Sequence, residues 1–370
     1  MGKRANGEGS IYQRKDGRWV ASITLDRGRR KHFFGKTRQE ASAKLTTALK
    51  TRQDGLPLPS EQVTVARYLD DWLASVKPSV RPRTHEAYEL NVRRVLPWIG
   101  RYKLTHLTPL HVQSCYTSLL EGGLSKRSVE QVHTVLHNAL RQAVRMGLVF
   151  RNVTDAVSVP RPERKEMRTL TTEQADVLFA VTAEDRNGSL WRLLLTTGVR
   201  LGEALGLKWD DVDLDNGKAT IQRALQRQAG TGLVFVEPKT QRSRRTVNLT
   251  KQTVVALTEH RRRQLEDRLA AGPMWTENRV VFARPDGRPL EPSGVITALH
   301  DALTRAGLPK VRVHDLRHSA ATFLLQRSVH PRVVQEMLGH STVVLTLDTY
   351  SHVSPTMRRE AADQMEALFG

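Results

Sequence analysis

Thr196-Thr197-Gly198-Val199-Arg200-Leu201-Gly202-Glu203-Ala204-Leu205-Gly206-Leu207 sets one cation and one anion in a run that is otherwise apolar or small. A guanidinium has little reason to stand in such a run unless it is paired or points into a cleft. Glu203 follows Arg200 by three residues, the spacing at which side chains meet on a helix, so it can orient the guanidinium. The stretch alone reads equally as a structural ion pair or as one wall of an anion site, and the rest of the chain has to choose.

Three other stretches carry unusual polar groups. In His314-Asp315-Leu316-Arg317-His318 the spacing lays His314, Arg317 and His318 along neighbouring parts of one helical surface, while Leu316, Ala320, Phe323 and Leu324 make its buried arc. Glu237-Pro238-Lys239-Thr240-Gln241-Arg242-Ser243-Arg244-Arg245 puts Lys239 on a turn between two strands, where a lysine is ordinarily solvated. Leu338-Gly339-His340-Ser341 is followed by Asp348-Thr349-Tyr350-Ser351-His352, and each alone reads as packing. A helix-turn-helix across Gly339 is disfavoured, because Thr342 to Leu347 offers Val, Leu and Thr where a recognition helix needs long polar side chains. Together, two Arg, one Lys, two His and one Tyr suit phosphoryl transfer to a protein hydroxyl. Cations stabilise charge gathering at phosphorus, a phenol supplies the nucleophile, and proton donors and acceptors serve the entering and leaving oxygens.

The remainder of the chain supplies the partner. Over 370 residues the formal charge is +20, with 26% charged and 39% hydrophobic residues, which describes a folded protein that meets a polyanion rather than a basic tail. Residues 1–60 hold 14 basic and 5 acidic groups, 61–160 hold 13 and 8, and 161–370 hold 31 and 25. Nearly half of the excess thus lies in the first sixth, as for a separate nucleic-acid-binding unit. The lone Cys115 allows no intramolecular disulfide and fits a reducing compartment. No apolar run reaches the roughly 18 residues of a membrane span, and Met1 to Ser10 does not resemble a secretion signal, so a cytoplasmic protein is expected.

Residues 10–36 read as three short strands, Ser10 to Arg14, Arg18 to Leu25 and Lys31 to Phe34, joined by Lys15-Asp16-Gly17 and Asp26-Arg27-Gly28. Trp19, Ala21, Ile23 and Leu25 share one face, and Thr37 with Glu40 caps a helix to about Lys50. Turns and strand ends carry Arg14, Lys15, Arg18, Arg27, Arg29, Arg30 and Lys31, and such a ribbon can enter a major groove. After the linker Asp54 to Ser60, four helices are expected at Thr64 to Val76, Thr84 to Pro97, Leu110 to Glu121 and Ser125 to Met146. On the last, His133, His137, Arg141 and Arg145 form a stripe able to meet phosphates. Zinc at the histidine pair is not expected, since no Glu of the metalloprotease type and no third ligand accompany it. A second linker, Val159 to Lys165, opens a mainly helical region. That region is interrupted by a small three-stranded sheet at Ala219 to Leu225, Leu233 to Val236 and Arg245 to Leu249, with helices following at Thr250 to Ala271, Pro292 to Ala306, Asp315 to Gln326 and Pro331 to Leu338.

In this order and at these spacings, the two arginine boxes, Pro238-Lys239-Thr240, Leu338-Gly339-His340 and Asp348-Thr349-Tyr350 resemble the tyrosine recombinase, or lambda-type integrase, family. The resemblance extends over nearly the whole chain and implies an α+β multidomain fold. A small three-stranded sheet plus helix (1–55) would bind arm-type DNA, a four-helix domain (63–157) would bind core-type DNA, and a mainly helical domain with a small antiparallel sheet (166–370) would be catalytic. It implies that Tyr350 attacks the scissile phosphate, Arg200 and Arg317 clamp its non-bridging oxygens, His340 adds a hydrogen bond, Lys239 protonates the departing 5′-oxygen and His314 accepts the tyrosine proton. Glu203 would support Arg200, and Met357 to Phe369 would be a segment exchanged between subunits. No cofactor, neither ATP nor metal, is required. The implied partners are double-stranded attachment sites, three further copies in a tetramer, a DNA-bending host factor and an excisionase. A type IB-like topoisomerase would share the tyrosine chemistry but need no arm-binding module, and a non-enzymatic DNA-binding regulator would explain the charge but not the six residues.

Overall fold

In the computed structural model the described residues are 9–24, 30–53, 62–163, 168–237 and 244–339, with positions 363, 365–367 and 369 near the C-terminus. The chain divides into two compact units, Met1–Arg164 and Lys165–Gly370.

The first unit opens with strands β1 (Ser10–Gln13), β2 (Trp19–Thr24) and β3 (Arg30–Gly35) in an antiparallel sheet of that order, followed by helix α1 (Arg38–Gln53). Register sets Ile11 opposite Ala21 and Ala21 opposite Phe33, so one face gathers apolar groups against Ala41, Leu45 and Ala48 of α1. The expected one-sided alternation needs correcting, because Val20 and Ser22 on the other face are buried as well. In register, Val20 lies between Tyr12 and Phe34, whose rings stay partly exposed. Thr37 Oγ1 accepts the Glu40 N–H (3.1 Å) as expected, but the Glu40 carboxylate reaches back to the Lys36 N–H (2.9 Å), one residue earlier than a capping box requires.

Helices α2 (Val65–Val76), α3 (Pro82–Ile99), α4 (Pro109–Glu121) and α5 (Lys126–Arg145) follow. Their starts obey hydroxyl capping: Thr64, Thr108 and Ser125 accept N–H groups three residues on. Helix α3 runs two residues past the expected stop at Pro97, which sits in the last turn, where its missing N–H forfeits a single intrahelical bond. Val65, Leu69, Val95, Ile99, Val112, Tyr116, Val132 and Leu136 meet in the core of these helices. Trp72 stacks on Tyr88 at 5.3 Å between centroids and donates its indole N–H to Gln142 (3.1 Å), tying α2 to both α3 and α5.

The second unit contains α6 (Thr172–Val181), α7 (Gly188–Thr197), the short α8 (Leu201–Leu205), strands β4 (Val212–Asp213), β5 (Lys218–Ile221), β6 (Ala224–Gln228), β7 (Gly232–Val236) and β8 (Arg245–Asn248), then α9 (Lys251–Ala271), α10 (Pro292–Arg305), α11 (Val313–Gln326) and α12 (Pro331–Leu338). The single three-stranded sheet expected here is two sheets, β4-β5-β8 and the hairpin β6-β7. Ala219 to Leu225 is not one strand: it breaks at Gln222-Arg223, and the Arg223 guanidinium turns to the buried Asp211 carboxylate. The core packs Leu178, Leu190, Trp191 and Leu194 against Leu299, Leu303 and Leu316, so that α7 and α11 lie together. Fully burying each such leucine contributes about 1.5–3 kcal/mol, which makes this core the support of whatever α7 and α11 present at their ends. Among the described residues, no helix is long and apolar enough to cross a membrane.

Candidate active site

Helix α7 ends at Gly198, whose φ of 65° is the left-handed conformation that glycine adopts freely. A Cβ there would stand 2.4 Å from Leu338 Cδ2, so the glycine also lets the end of α12 close on this turn. Two residues on, Arg200 occupies the N-cap of α8, its backbone N–H donating to Glu203 Oε2 (3.0 Å) and its Nη1 to Glu203 Oε1 (2.7 Å). Its Nη2 reaches the Gly339 carbonyl (3.3 Å), and the side chain keeps 41% exposure. The pairing expected from sequence is present, and the arginine still faces solvent.

Arg317 comes to the same turn from α11. Only 2% of Arg317 is exposed, and Nη1 donates to the Gly198 carbonyl (2.7 Å). Helix α11 starts two residues before the expected Asp315, since the buried Asp315 carboxylate accepts the Arg312 N–H (2.8 Å) and fixes Arg312 as the N-cap. His314 is exposed one turn ahead of Arg317, and its ring meets that of His318 edge to face at 4.8 Å. Loss of hydration lowers the His314 pKa first, and the positive charges of Arg317 and then Arg200 lower it further. His318 is pushed down to about 4, chiefly by burial and next by His314. Both shifts favour the neutral rings at pH 7, which sets an uncharged His314 imidazole beside two guanidiniums.

A residue that sequence reading missed completes the arrangement. Arg245, at the start of β8, donates from Nη2 to Glu203 Oε2 (2.8 Å) and from Nε to the Met337 carbonyl (2.9 Å), with 8% of its side chain exposed. Burial by itself would raise the Glu203 pKa; the Arg245 hydrogen bond and charge, followed by the contributions of Arg200, outweigh it and hold the carboxylate below its ordinary range. Arg245 had a signal: it pairs with Ile221 in register and shares a strand face with buried Val247, an inward position where a cation is out of place.

Lys239, His340 and Tyr350 lie outside the described residues. The ends of the Lys239 connection are bridged by Glu237 and Arg244 (3.2 Å). The residue before His340, Gly339, has φ 68°, and a Cβ there would stand 3.1 Å from Arg245 Nη1. Thus Arg200, His314 and Arg317 are brought together, with Glu203 and Arg245 behind them.

The DNA-binding candidates are more dispersed. Arg18 pairs with Asp16 (2.8 Å) at the first turn, next to Arg14. Arg30 lies on the sheet face away from α1, whereas Lys31 is paired with Ile23 on the face toward it; Arg29 is outside the described residues. On α5, Arg141 is exposed and bonded to Asn138 (3.0 Å). The histidine stripe faces protein: His133 meets the Tyr116 hydroxyl (3.1 Å), and His137 meets Thr154 and Asn152 (3.1 Å each) and Asp155 (3.3 Å). Among the described residues no group of three or more His, Cys, Asp and Glu is placed to hold a metal ion.

Residues 166–357 match the phage integrase family, and residues 64–120 match the phage integrase N-terminal SAM-like domain. A tyrosine recombinase XerC-like protein of Caldanaerobacter subterraneus is 30% identical, covering 96% of this chain and 98% of its own. An integrase of Saccharopolyspora erythraea is 28% identical over 99% and 98%. In fold, the chain is similar to the Tn1549 transposon integrase solved with a circular intermediate DNA (TM-score 0.71, 22% identity, 82% of this chain and 100% of that one). It is also similar to a lambda integrase solved as a tetramer on a Holliday junction (TM-score 0.58, 18% identity, 94% and 96%). With half of the chain matched by the family and a relative of this identity along nearly its full length, the chain belongs to the phage integrase family of tyrosine recombinases, enzymes of site-specific DNA recombination.

Proposed function

We propose that this recombinase integrates and excises a mobile element, such as a prophage, by forming a 3′-phosphotyrosyl bond through Tyr350. The Tyr350 oxygen attacks the scissile phosphorus, its proton passes to neutral His314, and the bond to the 5′-oxygen breaks as Lys239 protonates it. Arg200, Arg317 and His340 hold the non-bridging oxygens where negative charge develops. The free 5′-hydroxyl of a partner strand then attacks the phosphotyrosine and regenerates the phenol, so phosphodiester energy is kept and no external energy source is consumed. Two such exchanges, separated by a Holliday junction within a homotetramer, recombine two duplexes.

The observation that carries this reading is the convergence of Arg200, His314 and Arg317 on the turn between α7 and α8, with the imidazole pKa lowered first by lost hydration and then by the two cations. The helices α2–α5 are assigned to core-type sites, and the sheet β1–β3 with Arg14, Arg18, Arg29, Arg30 and Lys31 to arm-type sites. A DNA-bending host factor and an excisionase are further partners of this reading, which places the enzyme at the nucleoid in the cytoplasm of a bacterial host. The test uses two plasmids bearing the attachment sites of the element that encodes the chain. Recombinants that require both sites, with Holliday junctions as intermediates, are expected; relaxation of an unrelated supercoiled plasmid without exchange would favour a topoisomerase instead.

A further inference from the structure

We propose that Arg245 is a positioning residue for strand cleavage, fixing Arg200 and the turn that precedes His340 in one relation to each other. Three observations carry this. Through Nη2 it shares the Glu203 carboxylate with Arg200, Arg245 taking Oε2 and Arg200 taking Oε1. Through Nε it holds the Met337 carbonyl at the end of α12, and its guanidinium lies against Gly339, whose own carbonyl accepts Arg200 Nη2. It is buried, and it stands at the base of the connection that contains Lys239, on the same strand end as Arg244.

The planar fork of a guanidinium can serve the carboxylate and the carbonyl at once, whereas an ammonium at the same place has no fixed fork. Arg200, the end of α12 and the start of β8 are thereby joined through one side chain. Reorienting a clamp by as little as 1 Å can cost about a hundredfold in rate, so a residue that touches neither phosphate nor nucleophile can still govern the cleavage step.

Charge gives the inference its distinguishing signature. The charged groups acting on Glu203 are Arg245 from β8 and Arg200 from the N-cap of α8; the end of α12 presents carbonyls, and Arg317 acts with Arg200 on His314. Without Arg245, a buried carboxylate keeps one partner, and burial pushes its pKa up. Cleavage by such a variant gains a loss of activity on the acid side, where Glu203 takes a proton and releases Arg200.

The inference rests on the proposed phosphotyrosyl mechanism, and the test separates the two. Single-turnover formation of the covalent adduct is followed on nicked attachment-site DNA at saturation, from pH 6 to 8.5, per DNA-bound protomer. Arg245→Met is expected to cleave about tenfold slower or worse at pH 7.5, to bind DNA as wild type does, and to decline further toward pH 6. Adding Glu203→Gln removes that extra decline. Arg245→Lys keeps the charge and gives an intermediate rate with the wild-type pH profile, and it carries the test if the Met variant does not fold. Wild-type rates for Arg245→Lys and Arg245→Met across the range overturn the inference. Equal losses in both variants with no change of pH profile do so too, since lost stability alone would produce them. No adduct from the wild type overturns the mechanism beneath it.

Discussion

Glu203 shows how the balance of this site is struck. Removing a carboxylate from water costs several kcal/mol even after the protein relaxes, and hydrogen bonds to charged groups return about 1.5–3 kcal/mol each. One arginine would leave the account near even; two arginines and the Arg200 backbone N–H tip it toward the ionised form. His314 obeys the opposite logic, because partial loss of hydration and two cations all oppose its protonation although the residue keeps an exposed edge. Its protonated form cannot take the tyrosine proton, so cleavage should be insensitive to this group above pH 6.5 and fall as pH drops below it. The rate of adduct formation on nicked DNA, measured from pH 5 to 8, checks this. A midpoint below 6.5 that disappears in His314→Asn is expected, and one above 6.5 contradicts the neutral-acceptor role. The Arg200–Glu203 pair was legible from spacing alone, whereas Arg245 was hidden among the other arginines of its turn, and its one mark was its place two residues before the buried Val247 on the same strand face.

Among the elements, helices with hydroxyl caps were legible almost to the residue, as α2, α4 and α5 show, because their start is written in one side chain. The sheets of the second unit were less so. Ala219, Ile221 and Leu225 keep the period-two alternation straight through the break at Gln222-Arg223, and the sign of it is a cation at the intervening inward position, satisfied by Asp211 from a different segment. The α5 stripe misled for a related reason: spacing placed His133, His137 and Arg141 on one surface but could not say that Tyr116, Asn152 and Thr154 cover part of it. These positions should therefore behave differently. Arg141→Ala is expected to weaken binding to core-site DNA and lower the slope of log K against log salt by about 0.9, with stability unchanged. His137→Ala should instead destabilise the first unit by about 1 kcal/mol through its lost hydrogen bonds and leave the salt slope alone. Salt titrations of binding with thermal melts of the same variants decide; a salt-slope change in His137→Ala contradicts the assignment.

At the scale of the whole molecule, sequence charge pointed to a polyanionic partner, and the order of the polar boxes along the chain pointed to the chemistry. The excess of 14 basic over 5 acidic groups in residues 1–60 accompanies a sheet and helix with their own apolar core, apart from the core of α2–α5. In the second unit, the cations that matter are few and mostly turned inward, which is why a net charge could not have named the reaction. The family's order of boxes was legible because it spans the chain, whereas the distances that make a site of them depend on α7 packing against α11 and on two left-handed glycines, Gly198 and Gly339. The most direct measurement is of the covalent bond itself: wild type and Tyr350→Phe are incubated with attachment-site DNA nicked beside the cleavage position, and the protein–DNA adduct is isolated under denaturing conditions and mapped. A 3′-phosphotyrosyl link to Tyr350 in the wild type and none in Tyr350→Phe is the predicted result. No wild-type adduct, or one that persists in Tyr350→Phe, contradicts the account.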